Sequence, residues 1–285
     1  MVLRLRLLSL HMYSVAYRSA RLCYRAGRTV AKHTGFAGWY SDWTSPLHIT
    51  RTLLRDALQQ RTHYARGWLL DVGCGEKPYR ELFPQVERHI GVDSLGSTPD
   101  VYGDGMYLPF RDCSFETVLC NQVLEHVPEP WKLMDEAARV LKPEGCLILT
   151  APQTWDLHHV PFDYYRYTCF GLKFLAERSG LEVVEVVPTC GIWATVAQRV
   201  TDTITNTYLN GGQSFLVRKL IPAALAPVQI VGYRLDKWCG KRGDTLDYVL
   251  IVCKRPTTAD SAPVLTDTLG IGRERETNEP HNARC

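Results

Sequence analysis

Two glycines and two carboxylates carry the first chemistry in this sequence. Leu69-Leu70-Asp71-Val72-Gly73-Cys74-Gly75 runs a short apolar stretch into a turn with two glycines. Glycine reaches the positive φ angles of such a turn and lets a ligand approach bare backbone. Asp93 closes the next apolar stretch, 18 residues beyond Gly75. A carboxylate at that point can accept both hydroxyls of a ribose. Taken singly, the glycines read as a tight turn and the aspartate as a turn former; together they point to a nucleoside held by its sugar. The third glycine of a dinucleotide fingerprint would fall at 78, where the residue is Pro78. That counts against a nicotinamide or flavin dinucleotide, whose pyrophosphate rests on a glycine-opened helix N-terminus.

The second group of candidates is rich in histidine. His126 follows a strand-like run and reads either as a general base or as a cap of the loop behind it. His158 and His159 share a loop with Trp155, Asp163, Tyr164 and Arg166, which is either solvated or in contact with a substrate. Arg166 can pair with a phosphate or carboxylate of that substrate, or equally pin Asp163. Ten cysteines are scattered with no Cys-x-x-Cys and no Cys/His pair at zinc spacing, so no metal site is expected. Several, such as Cys120 and Cys146, lie in apolar runs where cysteine acts as a small hydrophobe. The expectation is reduced thiols in a cytosol-like compartment.

Alternating strands and helices must position these residues. Trp68–Val72, His89–Asp93, Thr117–Asn121, Cys146–Thr150, Leu181–Val187 and Tyr248–Lys254 read as strands. Pro78 opens a short helix through Phe83, and Pro130 a firmer one with an apolar stripe of Met134, Ala137, Ala138 and Leu141. Lys142–Gly145 reads as a turn, Thr168 as the N-cap of a helix to Ser179, and Gly180 as its stop. Short, wholly apolar strands imply a buried parallel sheet with helices on both faces. Ligands of such sheets bind at the carboxyl ends of the strands, where the glycine turn, Asp93 and His126 all fall. From about 191 to 246 the rhythm fails, and a helical insertion is expected before the last strand.

The chain of 285 residues is 45% hydrophobic and 22% charged, which excludes collagen-like and wholly disordered readings. No apolar run approaches the roughly 18–20 residues of a membrane span. The net charge of +3 hides an asymmetry: residues 1–41 hold Arg4, Arg6, Arg18, Arg21, Arg25, Arg28 and Lys32 with no acidic residue, and the remainder is net −4. A mildly acidic body is not built to grip nucleic acid. Arg18, Arg21, Arg25 and Arg28 fall on one helical face, with Val15, Leu22, Ala26 and Val30 on another. This leader, residues 1–45, reads as a solvated helix packed on the body. It also reads as a peripheral membrane contact, a mitochondrial address or a cover over the site. Trp39, Tyr40 and Trp43 form an aromatic cluster that packs a helix or lines a pocket, and residues 215–235 are a second candidate for membrane contact. The body is taken as 46–255 and residues 256–285 as a disordered tail.

Five segments occur in order and at fitting distances: Asp71-Val-Gly-Cys-Gly75, Gly91-Val-Asp93, Gly103-Asp-Gly-Met-Tyr-Leu-Pro-Phe110, Val118-Leu-Cys-Asn-Gln-Val-Leu-Glu-His126 and Arg139-Val-Leu-Lys-Pro-Glu-Gly145. Together they resemble the class I S-adenosylmethionine-dependent methyltransferases, in particular the type 11 group, over roughly residues 66–188. Trp39–Trp43, Asp163–Thr168 and Leu235–Tyr248 extend the resemblance loosely toward bacterial members associated with surface-glycan or lipid-linked sugar biosynthesis. The resemblance implies a Rossmann-like, seven-stranded, mostly parallel sheet with an antiparallel last strand. It implies S-adenosylmethionine as cofactor: Asp71, Gly73, Cys74 and Gly75 at its methionine and ribose portions, Asp93 on the ribose hydroxyls, Asp104 and the Gly105 backbone at the adenine amine, and Asn121 and Gln122 beneath the sulfonium. His126 and His159 become candidate bases, and His158, Asp163, Tyr164 and Arg166 candidate contacts to a small-molecule, sugar or lipid-linked acceptor in the cytoplasm. One departure stands out: Lys77 occupies a position where the family often has a third glycine. Two rivals remain at this point, a nicotinamide-dependent oxidoreductase or epimerase and a non-catalytic cofactor-fold subunit.

Overall fold

The computed structural model describes Trp43 and residues 45–94, 99–209 and 215–256. The basic leader with its arginine face, Trp39 and Tyr40, and the tail from 257 onward lie outside the described residues. The described residues form two units by their contacts: those in 57–189 with 245–256, and those from Trp43 through 56 with 190–244.

The larger unit is built on seven strands: β1 (Trp68–Val72), β2 (Arg88–Asp93), β3 (Val101–Tyr102), β4 (Phe115–Asn121), β5 (Leu141–Pro152), β6 (Leu181–Pro188) and β7 (Asp247–Lys254). Their order in the sheet is β3-β2-β1-β4-β5-β7-β6. Strands β1 to β5 pair in parallel, and β7 runs antiparallel between β5 and β6. Both alternating side-chain sets of the central strands are buried, Val118, Cys120, Leu147 and Leu149 on one face and Leu119, Ile148, Val249 and Ile251 on the other. That two-sided burial is why these strands read as unbroken apolar runs. Helix α2 (Pro130–Val140) starts with proline, which lacks only a donor unpaired at that position anyway. It buries Leu133, Met134, Ala137 and Val140 in the sheet core, with Leu133 and Met134 contributing about 1.5–3 kcal/mol each. Helix α3 (Cys169–Arg178) is capped by Thr168, whose hydroxyl accepts the Gly171 N–H, and ends before Gly180 at φ +73.

Three expectations change. The helix read from Pro78 to Phe83 is a single 3-10 turn, Arg80–Leu82. Pro84 cannot join a helix interior and pushes Phe83 out of the α region, so too few residues remain for an α-helix. The turn at Lys142–Gly145 is a bulge inside β5: the register jumps from Phe115–Leu141 to Thr117–Cys146, with Glu144 at φ +63. The cysteines are not all reduced. Antiparallel pairing places Cys146 opposite Cys253, and the two form a disulfide. Spacing along the chain carries no trace of that pairing, because it is made by strand register.

The smaller unit holds α4 (Ile192–Leu209), α5 (Phe215–Cys239) and most of α1 (His48–Gln59), which leads into the larger unit. No described helix is long and apolar enough to cross a membrane. The buried face of α5 is Leu225, Gln229, Gly232 and Asp236. A Cβ on Gly232 would lie 2.2 Å from Ala197 Cβ, so glycine permits this approach of α4 and α5. Asp236 accepts the Gly191 N–H at 2.9 Å and the Ala194 N–H at 3.3 Å, a negative charge placed at the orphan donors of the α4 N-terminus. Gln229 donates to the carbonyls of Trp43 and Ser45, and the Trp43 ring packs on His48 and edge-on to Tyr233.

Candidate active site

The first turn is anchored from β2. Gly73 N–H and Cys74 N–H both donate to the Val92 carbonyl, at 2.8 and 3.2 Å, and Gly75 N–H donates to Asp93 Oδ2 at 2.8 Å. Gly73 and Gly75 sit at φ +67 and +52, which explains the residue type. They differ in surroundings: a Cβ on Gly73 would strike Val123 at 2.3 Å, whereas one on Gly75 would meet nothing within 4 Å. The turn thus has a packed wall at Gly73 and an open cradle at Gly75, beside the half-buried Asp93. A carboxylate beside unobstructed backbone offers an acceptor for ribose hydroxyls and room for a close approach to the chain. Lys77 takes φ +55, a left-handed conformation that glycine adopts without strain, and its ammonium pairs with Asp100.

Asp71 is buried, with His89 Nε2 2.9 Å from its Oδ2. Burial pushes its carboxyl above the usual range, and the His89 contact opposes that rise. Cys74 is buried too, its thiol pushed up to about 12 chiefly by desolvation, so it stays protonated. Gly103 N–H donates to the Asp93 carbonyl at 3.2 Å, which brings the next loop to the same sheet end. There Asp104 is exposed, with Oδ1 accepting the Met106 N–H, and Gly105 lies against Val72 and Leu133. At the end of β4, Asn121 and Gln122 are held by Thr150 of β5. The Thr150 hydroxyl donates to Asn121 Oδ1 at 2.8 Å and accepts from Gln122 N–H at 3.1 Å and Gln122 Nε2 at 3.2 Å. The carboxyl ends of β1, β2 and β4 therefore bring together the predicted cofactor residues.

The histidines converge as well. His126 lies in a 3-10 turn, Leu124–His126, and its ring centroid is 4.6 Å from that of His158 and 5.0 Å from that of His159. His126 Nδ1 is 2.6 Å from the Phe162 carbonyl, so Nδ1 carries the proton and Nε2 the lone pair. Burial pulls this imidazole down to about 4, and it is neutral at physiological pH. Arg166 grips Asp163 through two parallel bonds of 2.7 and 2.8 Å and also donates to the Asp156 carbonyl at 2.9 Å. Of the two roles open to Arg166, the geometry shows the pinning of Asp163. The guanidinium holds the Asp163 carboxyl well below the usual range. Tyr164 is exposed, its N–H donating to the Glu125 carbonyl.

Sequence reasoning missed three residues. Thr150 was visible as the polar end of an apolar strand, and His89 as the polar start of another. Glu125 stood in plain view between Leu124 and His126, yet only the fold shows it fully buried, its carboxyl pushed up to about 8 by desolvation.

The family described as "Methyltransferase domain" matches residues 70–149. An uncharacterized methyltransferase of Mycobacterium leprae is 35% identical over 100 residues, 29% of this chain and 36% of its own length. The 27-O-demethylrifamycin SV methyltransferase of Amycolatopsis mediterranei is 32% identical over 135 residues, 39% of this chain and 48% of its own. A ubiquinone biosynthesis O-methyltransferase of Xylella fastidiosa is 27% identical over 138 residues, 40% of this chain and 56% of its own. The chain thus spans between about a third and just over half of the length of these relatives. Among solved structures, the [4+2]-cyclase SpnF shares the fold, with a TM-score of 0.50 and 20% identity over 76% of this chain and 86% of that one. Residues 70–149, which carry the glycine turn, its aspartate and the ends of β1, β2 and β4, are thus similar to the methyltransferase domain family.

Proposed function

We propose that the protein transfers a methyl group from S-adenosylmethionine to an oxygen of a small-molecule, sugar or lipid-linked acceptor. The observation that carries this reading is Asp93, tied to Gly75 beside an open backbone cradle. Asp93 would hold the ribose hydroxyls, the Gly73–Gly75 backbone the methionine portion, Asp104 and Gly105 the adenine amine, and Asn121 and Gln122 the floor beneath the sulfonium. The bound cofactor supplies an electrophilic methyl on a positively charged sulfur. The chain's own work is positioning: Thr150 fixes the two amides, and the pinned loop 156–166 shapes the acceptor side. His126 is neutral and keeps an Nε2 lone pair, as a proton acceptor for the attacking hydroxyl requires; His159 is the second candidate.

Oxygen as the acceptor atom is supported by the two relatives whose names specify O-methyl transfer. The fold alone does not decide the reaction, as the cyclase with the same fold illustrates. Calorimetry with S-adenosylhomocysteine, run beside an NADH titration, tests the cofactor: heat with the first and none with the second is expected. Transfer of labelled methyl from S-adenosylmethionine to fractionated extracts then identifies the acceptor. Absence of S-adenosylhomocysteine binding to folded protein overturns the reading.

A cytoplasmic enzyme touching the membrane surface through residues 215–235 and the leader belongs to the same proposal. Exposed Val228 and Val231 on α5 support it. Co-sedimentation with phosphatidylglycerol vesicles is expected, and its absence removes the membrane clause alone.

A further inference from the structure

We propose that Glu125, His126 and His158 form a binding site for a divalent transition cation, with Zn2+ the ion whose preferences the set matches. One donor atom from each residue lies within 4.8 Å of the others. A tetrahedral centre with bonds of about 2.0–2.2 Å would draw them to roughly 3.3 Å apart, a shift of about 1 Å per side chain. Two imidazoles and a carboxylate suit zinc and its neighbours, whereas magnesium favours oxygen-only sets.

The orientation of each donor supports the assignment. His126 gives its Nδ1 proton to the Phe162 carbonyl, which leaves Nε2 with a lone pair 3.8 Å from Glu125 Oε1. His158 Nδ1 lies 3.0 Å from the Asp156 carbonyl and 3.3 Å from Asp163 Oδ2, so its proton is likewise committed there and its Nε2 is the lone-pair atom. Metal-binding histidines are held in this manner, with the second nitrogen donating to a carbonyl or carboxylate that fixes the tautomer and the ring. Asp163 is itself fixed by Arg166 and by the His158 N–H at 2.9 Å, so the outer ring is already built.

The strongest indication is Glu125. Its side chain is fully buried and neither carboxylate oxygen has a hydrogen-bond partner. A carboxyl buried without a hydrogen-bond partner is costly, more so when ionised, and a cation between it and the two imidazoles would supply the missing partner. His159 lies beside the cluster but outside the donor set. Spacing rules find zinc sites within one short segment; here the ligands come from the turn after β4 and from the loop after β5, so the sequence held no sign of it. Three protein ligands leave a coordination position for an oxygen of the acceptor, and with His126 Nε2 on the cation the proton acceptor is His159. That last clause rests on the methyl-transfer reading; the cation site does not.

The test uses the full chain after chelation and gel filtration, titrated with Co2+ and then with Zn2+, with Mg2+ as the control. One Co2+ per chain with visible d–d absorption, displaced by Zn2+ and untouched by Mg2+, is expected. Glu125→Gln, His126→Asn and His158→Ala should each weaken binding at least tenfold. His158→Cys should restore it and add a thiolate charge-transfer band. Circular dichroism and thermal melting establish that each variant is folded. No Co2+ uptake by the native chain, or undiminished uptake by the folded His126→Asn/His158→Ala double variant, overturns the proposal. S-adenosylhomocysteine calorimetry on the chelated chain separates the two readings: heat there without Co2+ uptake sinks the cation site alone, and Co2+ uptake without heat sinks the methyl-transfer reading alone.

Discussion

The backbone N–H of Gly75 donates to Asp93 Oδ2 at 2.8 Å, so one carboxylate fastens the first turn beside its open backbone. The bond ties two strand ends together, and the placement of Asp93 depends on it. Under the proposed function, removing the carboxylate should weaken ligand binding as well as lower stability. Asp93→Ala is expected to weaken S-adenosylhomocysteine binding about 10–100-fold, the loss that follows from charge-assisted bonds of about 1.5–3 kcal/mol. Calorimetry measures the affinity and a melting curve the fold; unchanged affinity in a folded variant would remove Asp93 from the site.

The two glycines of the turn should respond differently to the same substitution. Gly75→Ala places a methyl in open space at φ +52, costing about 1–2 kcal/mol of stability for the left-handed backbone while obstructing the cradle. Gly73→Ala adds to that backbone cost a collision with Val123 at 2.3 Å, and overpacking costs a further 1–3 kcal/mol or so. The expected outcome is a mildly destabilised Gly75→Ala with poor cofactor affinity and a strongly destabilised Gly73→Ala. Urea melts and calorimetry on the pair decide it; equal stabilities would mean the Val123 wall is not there.

Thr150 is buried and serves Asn121 and Gln122 together. Thr150→Val keeps the shape and removes the hydroxyl, leaving Asn121 Oδ1 and Gln122 Nε2 short of a partner, for a loss of about 1–3 kcal/mol. Under the proposed function, kcat should fall while KM for S-adenosylmethionine changes little, and Thr150→Ser should restore the rate. A Thr150→Val variant with native kcat would show that the two amides need no such support.

The sequence made some of this legible for physical reasons. Trp68–Val72 and Tyr248–Lys254 read as strands because burial selects runs of apolar residues, and Thr168 and Gly180 were readable because helix ends have local chemistry. The glycine turn was readable because a positive φ demands a residue type, and Asp93 because it is the polar end of an apolar strand. What lay hidden depends on residues distant in sequence. The Cys146–Cys253 bond is set by strand register, the hub role of Thr150 by the parallel pairing of β4 with β5, and the isolation of Glu125 by the loop that closes over it. Arg166 shows the intermediate case, since its two possible partners were both visible and only the fold chose Asp163.

Acid should unfasten the α2 side of the larger unit through Glu136. Arg139 donates to both oxygens of this carboxylate, at 2.7 and 2.8 Å, and the Leu108 N–H adds a bond of 2.7 Å. The Arg139 bonds, with the Leu108 N–H behind them, hold the Glu136 carboxyl below its ordinary value against the opposing effect of partial burial. A carboxyl lowered in the folded chain stabilises it above the unfolded pKa, and that contribution disappears as pH falls through the folded value. The native chain should therefore exceed Glu136→Gln in stability by about 1–3 kcal/mol near neutral pH. The difference should narrow below the ordinary glutamate pKa of 4.5 and vanish once Glu136 is protonated in both states. Urea melts of the two proteins at intervals between neutral and acid pH measure that gap. A gap independent of pH would assign the stabilisation to packing of the Glu136 stem instead of its charge, and a gap that widened toward acid would contradict the direction of the shift.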